Sequence, residues 1–168
     1  ALRQARYETW LSREPVDRPL LGLVWEPDIP QPREFTEPFS ENTSVAPEDI
    51  RPAEYLPFIE AWHAYVASVR MDFFQRFTPA FGIPWTEAIA GCPVKAAPGS
   101  LWAEPCLDDL SRRPEIRFDP SNPWFEKLIE FTDTLVEAAA GRFPVAAPQF
   151  RGPLDMLAAL RTPAGMCM

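Results

Sequence analysis

The sequence predicts an α/β fold with parallel strands, and three observations predict it. Residues 143 to 161 read as an apolar strand, an Arg151-Gly152-Pro153 turn and a helix, which together make one βα unit. Two earlier apolar runs of strand length, Pro19 to Trp25 and Asp72 to Ala80, supply further strands. Two other stretches, 57 to 70 and 122 to 140, carry apolar residues at helical spacing. Parallel α/β folds gather their chemistry at the C-terminal ends of strands, so the Arg151 turn is expected on the active face.

Residues 1 to 13 have helix-forming composition, although Leu2, Ala5, Trp10 and Leu11 make an uneven apolar face. The run from Pro19 to Trp25 is the first predicted strand, and its end delivers Trp25, Glu26 and Asp28 to the active face. Prolines and polar residues without a period predict a long loop over 27 to 47. Phe58, Ile59, Trp62, Tyr65, Val66 and Val69 repeat at intervals of three and four, which is an amphipathic helix. Its single His63 lies off that stripe and has no acid, Cys or second His at ligand spacing, so a structural or solvated role is expected.

The aromatic run from Asp72 to Ala80 is the second predicted strand, closed by Pro79 and Gly82. A short helix over Trp85 to Ala90 leads to two small β-runs, Pro93 to Ala96 and Leu101 to Glu104, with Pro98-Gly99-Ser100 as the turn between them. Asn122 caps the next helix, Pro123 suits its first position, and Phe125, Leu128, Ile129, Thr132, Leu135, Val136 and Ala139 trace one face. Gly141 is the left-handed residue that ends it. Phe143 to Phe150 has no polar face, as a strand covered on both sides would not. Gly152 allows the turn, and Pro153 opens the last helix with Asp155 near the positive end of its dipole.

Composition narrows the partners. The chain of 168 residues carries 24 acids against 16 Lys plus Arg, a net charge of −8, and no basic cluster interrupts this balance, so nucleic acid is not an expected partner. No run approaches the roughly 18 apolar residues of a membrane span, and the N-terminus lacks the layout of a signal peptide. A cytoplasmic protein without a membrane partner is expected. The odd count of cysteines, Cys92, Cys106 and Cys167, fits a reducing compartment, with Cys92 and Cys106 expected as buried packing residues. Its 21 prolines far exceed the usual share of about 5%, which predicts long irregular connections.

Two blocks carry a resemblance. The strand-Gly-Pro-helix unit at 143 to 161 resembles one found in the uroporphyrinogen decarboxylase superfamily. The block Phe81-Gly-Ile-Pro-Trp-Thr-Glu-Ala-Ile-Ala-Gly-Cys-Pro-Val94, followed by Gly99-Ser-Leu-Trp-Ala-Glu-Pro105, resembles its uncharacterised, decarboxylase-like branch. Asp17-Arg-Pro-Leu-Leu21 and Asn122-Pro-Trp124 extend the resemblance over nearly the whole chain. It implies a (β/α)8 TIM barrel. Such a barrel takes roughly 250 residues, so residues 1 to 168 are expected to be one partial domain, the N-terminal half of a longer protein. The opening at Ala1 and the end at Gly165-Met-Cys-Met168 just past a helix agree with that expectation. A complete small α/β domain is the alternative.

The resemblance also implies roles for residues. Where porphyrinogen decarboxylases carry an Arg-Gln-Ala-Gly-Arg run, this chain has Trp25-Glu26 and, further on, Arg33, which removes positive charge from a site for an acidic substrate. Aligning the family's Pro-x-x-Gly step on Pro79 to Gly82 puts Phe74 in place of its aspartate, with Asp72 two residues earlier on the same strand face. Asp72 and Glu26 are therefore the candidate catalytic residues, with a helix-to-strand boundary role as the alternative for Asp72. Arg151, Trp25, Arg33, Trp85, Glu87, Trp102 and Glu104 are the candidate substrate-binding ones. The alternatives are that the tryptophans pack the excursion onto the barrel, that Glu87 and Glu104 cap turns or sit in water, and that Arg151 pairs with Asp155.

The implied function is a lyase of the decarboxylase kind on an organic acid or porphyrin-like molecule, with uroporphyrinogen itself not the expected substrate and the fragment alone expected to be inactive. No cofactor or metal is expected in this half. Two alternatives stand beside it: a methyltransferase that works with zinc and a corrinoid protein partner, its ligands lying in the other half of the barrel, or a non-catalytic binding module. A homodimer is among the expected assemblies.

Overall fold

The computed structural model describes residues 2–22, 40–69, 71–72, 75–80, 82–98, 100–107, 109 and 117–166. In chain order it has helix α1 (Leu2–Leu11), a short 3-10 turn at Pro47–Asp49, α2 (Pro52–Ser68), α3 (Trp85–Ile89), strands β1 (Val94–Ala97) and β2 (Ser100–Ala103), α4 (Pro123–Ala139), α5 (Pro153–Arg161) and α6 (Pro163–Met166).

The half-barrel expectation is overturned. Among the described residues the one sheet is the antiparallel pair β1–β2, with Val94 opposite Ala103 and Ala97 opposite Ser100. Two of the three predicted strands do meet side by side in the parallel sense, but only as a single bridge between Phe77 and Val145. The Phe77 N–H donates to the Pro144 carbonyl at 3.0 Å and the Ala146 N–H to the Phe77 carbonyl at 2.9 Å. Prolines explain why the ladder stops there. Pro144 and Pro148 on one side and Pro79 on the other have no N–H to donate, so the chain is extended and apolar without being able to build a sheet interior. Residues 19 to 22 of the first predicted strand form no strand, and the remainder of that run lies outside the described residues.

Helix α4 organises the core. The Asn122 side-chain oxygen accepts hydrogen bonds from the N–H groups of Trp124 at 2.8 Å and Phe125 at 3.3 Å, satisfying two donors that the helix itself cannot. Trp124, Leu128, Phe131, Leu135 and Ala139 are buried at intervals of four and three. The inward face is thus rotated from the one periodicity predicted, and Ile129 and Val136 are exposed. At its end Ala140 (φ 45°) and Gly141 (φ 76°) both take the left-handed conformation and turn the chain out of the helix.

Against this face α2 packs Ile59 and Tyr55, and α3 packs Trp85. α2 starts one turn before Pro57, at Pro52, so Pro57 sits inside the helix and removes one of its early hydrogen bonds. Phe131 stands edge-on to Trp85 at 6.2 Å and to Tyr55 at 5.3 Å, which makes it the point where three helices meet. The hairpin closes the cluster with Val94, Ala96 and Leu101. Among the described residues no helix is long and apolar enough to cross a membrane.

Candidate functional site

The charged centre of most chemical interest lies where the turn before α5 meets α3. Pro84 precedes α3 and cannot cap it through a side chain, so the first turn, Trp85-Thr86-Glu87, makes its polar contacts with other segments. The Arg151 backbone N–H approaches the Thr86 hydroxyl oxygen at 3.4 Å, and the Arg151 Nε is ion-paired with Glu87 Oε1. Glu87 is only 2% exposed, whereas the Arg151 side chain is 54% exposed. A buried carboxylate therefore pairs with the Nε of an arginine whose side chain is about half exposed. Among the described residues the Arg151 Nη groups have no further partner. Arg151 does not pair with Asp155, whose carboxylate instead lies beside Gly152 in the first turn of α5.

A second charged centre surrounds Asp72. Its carboxylate accepts from Arg6 Nη1 at 2.8 Å, from Arg18 Nη2 at 3.1 Å and from the Leu21 backbone N–H at 2.9 Å, and Arg6 also holds Asp17 at 2.9 Å. This network ties α1 and the segment after it to residue 72, and the Asp72 N–H returns a bond to the Leu21 carbonyl at 2.9 Å. Hydrogen bonds from Arg18, the Leu21 N–H and Arg6 hold the Asp72 carboxyl well below the usual carboxylate range, against the opposing effect of burial. Through these bonds the Asp72 carboxylate anchors α1 and the segment after it.

The linkage gives a prediction. Because the folded-state pKa of Asp72 lies below its unfolded value of about 3.9, its stabilising effect is complete above that value and disappears as pH falls through the folded one. Asp17 and Glu60 are lowered in the same direction by Arg6 and Arg142 respectively. Urea midpoints measured between about pH 2 and pH 6 should fall steadily below about pH 4. Asp72→Asn should flatten that acid limb, and an unchanged limb would remove Asp72 from this role.

The remaining predicted residues are dispersed. Trp85 is 2% exposed and its Nε1 donates to the Ala80 carbonyl at 3.1 Å, which makes it a core residue. Trp102 is exposed on β2, and Glu104 pairs loosely with Lys95 at 3.8 Å. Trp25, Glu26 and Arg33 lie outside the described residues, as does Phe74. His63 packs between aromatic rings, 5.0 Å from Phe143 and 6.4 Å from Phe77. The structure thus brings Arg151 and Glu87 together, gives Glu104 and Asp72 other partners and leaves Trp102 exposed on β2. Arg6 and Arg18 were not singled out from the sequence. Their signal was weak, since nothing in the local pattern joins them to an acid more than fifty residues away. Among the described residues no group of three or more His, Cys, Asp or Glu side chains is placed to hold a metal ion. Comparison of this chain with protein-family models, with curated proteins and with solved structures finds no match.

Proposed function

We propose that this chain binds the carboxylate of a small organic acid at Arg151 and belongs to a cytoplasmic enzyme of the decarboxylase-like kind. One observation carries the reading: the Arg151 guanidinium is ion-paired through Nε with buried Glu87 while about half of its side chain is exposed. A guanidinium presents its donors in a planar fork that matches a carboxylate, and fixing one edge reduces the freedom lost when the other is used. Glu87 is in this reading a positioning residue. The decarboxylase class comes from the sequence resemblance of the blocks at 81 to 94 and 99 to 105, which contain Glu87 itself.

The experiment is calorimetric titration of the chain with a panel of mono-, di- and tricarboxylic acids, followed by a carbon dioxide release assay on those that bind. Arg151→Ala should weaken the best ligand by about 1.5 kcal/mol or more, the worth of a hydrogen bond to a charged group, which is roughly tenfold in Kd. Binding that Arg151→Ala leaves untouched would overturn the site. Carbon dioxide release from an acid that binds would support the decarboxylase-like enzyme over the non-catalytic binding module.

A further inference from the structure

A smaller apolar cluster under the hairpin contains Cys92, Leu107 and Leu160, with Cys106 and Met156 packed against them. Both cysteines are free thiols, and their sulfur atoms are 3.1 Å apart. A disulfide needs about 2.05 Å, so closing the bond asks for a movement of about 1 Å. The pair stands at the open end of the β1–β2 hairpin, next to its last cross-strand bond, from the Glu104 N–H to the Pro93 carbonyl at 2.8 Å. Each cysteine is also anchored to a helix. The Cys92 N–H donates to the Glu87 carbonyl at 3.0 Å, and the Cys106 N–H to the Leu160 carbonyl at 3.0 Å. A bond between the two sulfurs would join the end of α3, which carries Glu87, to the end of α5, the helix that follows Arg151.

We propose that Cys92 and Cys106 are a reversible dithiol–disulfide switch that fastens α3 to α5. Cys106 is half-buried and Cys92 fully buried, so an external disulfide meets Cys106 first. The Cys106 thiolate attacks one sulfur of a low-molecular-weight disulfide, forms a mixed disulfide and expels one small thiolate, which takes up a proton. Cys92 then loses its proton and attacks Cys106 Sγ, breaking the mixed bond and expelling the second small thiol. Two protein thiols and one small disulfide become one protein disulfide and two small thiols, and an excess of small dithiol reverses both steps. Burial, the Cys106 thiol and the charge of Glu87 push the Cys92 thiol up, which leaves Cys92 as the resolving rather than the attacking group. In a reducing compartment such pairs are transient and respond to redox conditions. The switch does not depend on any ligand at Arg151.

The test uses the full chain with Cys167→Ser, because Cys167 lies outside the described residues and would otherwise compete. After incubation with oxidised glutathione, alkylation and peptide mass spectrometry should find the 92 and 106 peptides joined, and dithiothreitol should release them. The oxidised form should melt several degrees higher than the reduced form, since the unfolded chain is then cross-linked across the hairpin. Adding Cys92→Ser should leave a glutathione adduct trapped on Cys106, and Cys106→Ser should prevent both the adduct and the bridge. A stable adduct on Cys106 without a bridge when both cysteines are present, bridges only between chains, or no reaction at either thiol would each overturn the proposal.

Discussion

Phe131→Ala is expected to destabilise the protein by about 3 to 5 kcal/mol, the range for truncating a fully buried aromatic side chain. The Phe131 side chain has no exposed surface, and its ring meets Trp85 of α3 and Tyr55 of α2 edge-on while being carried by α4. Neighbours on three separate elements cannot all move inward, so the cavity stays open. Each edge-on aromatic contact adds about 0.5 to 1.5 kcal/mol beyond area burial, which places the loss in the upper part of that range. Set against the roughly 5 to 15 kcal/mol typical of a domain, the variant should unfold at much lower urea, with a lower midpoint and an unchanged slope. Phe131→Leu, which keeps more of the volume, should lose substantially less. A loss below about 1 kcal/mol, ordinary for an average substitution, would show that α2, α3 and α4 do not meet at this ring.

How much of this was legible follows from the punctuation of each segment. Helix α4 could be located because Asn122, Pro123 and Gly141 mark its ends by mechanisms that act within one turn. Its orientation could not, because Trp124, Phe125, Leu128, Ile129, Phe131, Thr132, Leu135 and Val136 give it a broad apolar arc. Periodicity does not decide which edge of such an arc turns inward, and the contact of Phe131 with two other helices decides it here. The hairpin was legible for the same reason as the helix ends: Pro98-Gly99 separates two short apolar runs.

The predicted strands failed where apolar character was read without counting donors. Phe143 to Phe150 is hydrophobic enough for a sheet interior, yet Pro144 and Pro148 remove ladder hydrogen bonds within it. At the site, Arg151 and Glu87 were each picked out as ligand contacts, but their mutual contact was not, because they lie 64 positions apart and only the docking of α5 on α3 joins them. Cys92 and Cys106 do pack in an apolar cluster, as their residue type suggests, but the contact between their sulfur atoms needs tertiary information that the sequence lacks. Their sulfur contact follows from the hairpin register and from the bond of Cys106 to Leu160.

The pairing of Arg151 with Glu87 predicts a coupled loss of stability. Arg151→Ala leaves a carboxylate buried without its cation, a change that costs about 3 to 5 kcal/mol when both partners are deep inside. Here the arginine side chain is half in water, and water entering the space it vacates screens and solvates part of the remaining charge. A loss of about 1 to 2 kcal/mol is therefore expected. Glu87→Gln keeps the shape of the side chain and removes its charge, so in that background the arginine has less to neutralise. The double variant Glu87→Gln with Arg151→Ala should be more stable than the sum of the two single losses implies, by about 1 kcal/mol, within the coupling range of contacting residues. Urea denaturation of the four proteins measures this directly. Additive losses would mean that the two charges do not sense each other in solution, and the fixed edge on which the carboxylate-binding reading of Arg151 rests would be lost. A coupling near 1 kcal/mol combined with weaker organic-acid binding in Glu87→Gln would instead place Glu87 as the residue that aims the guanidinium at its ligand.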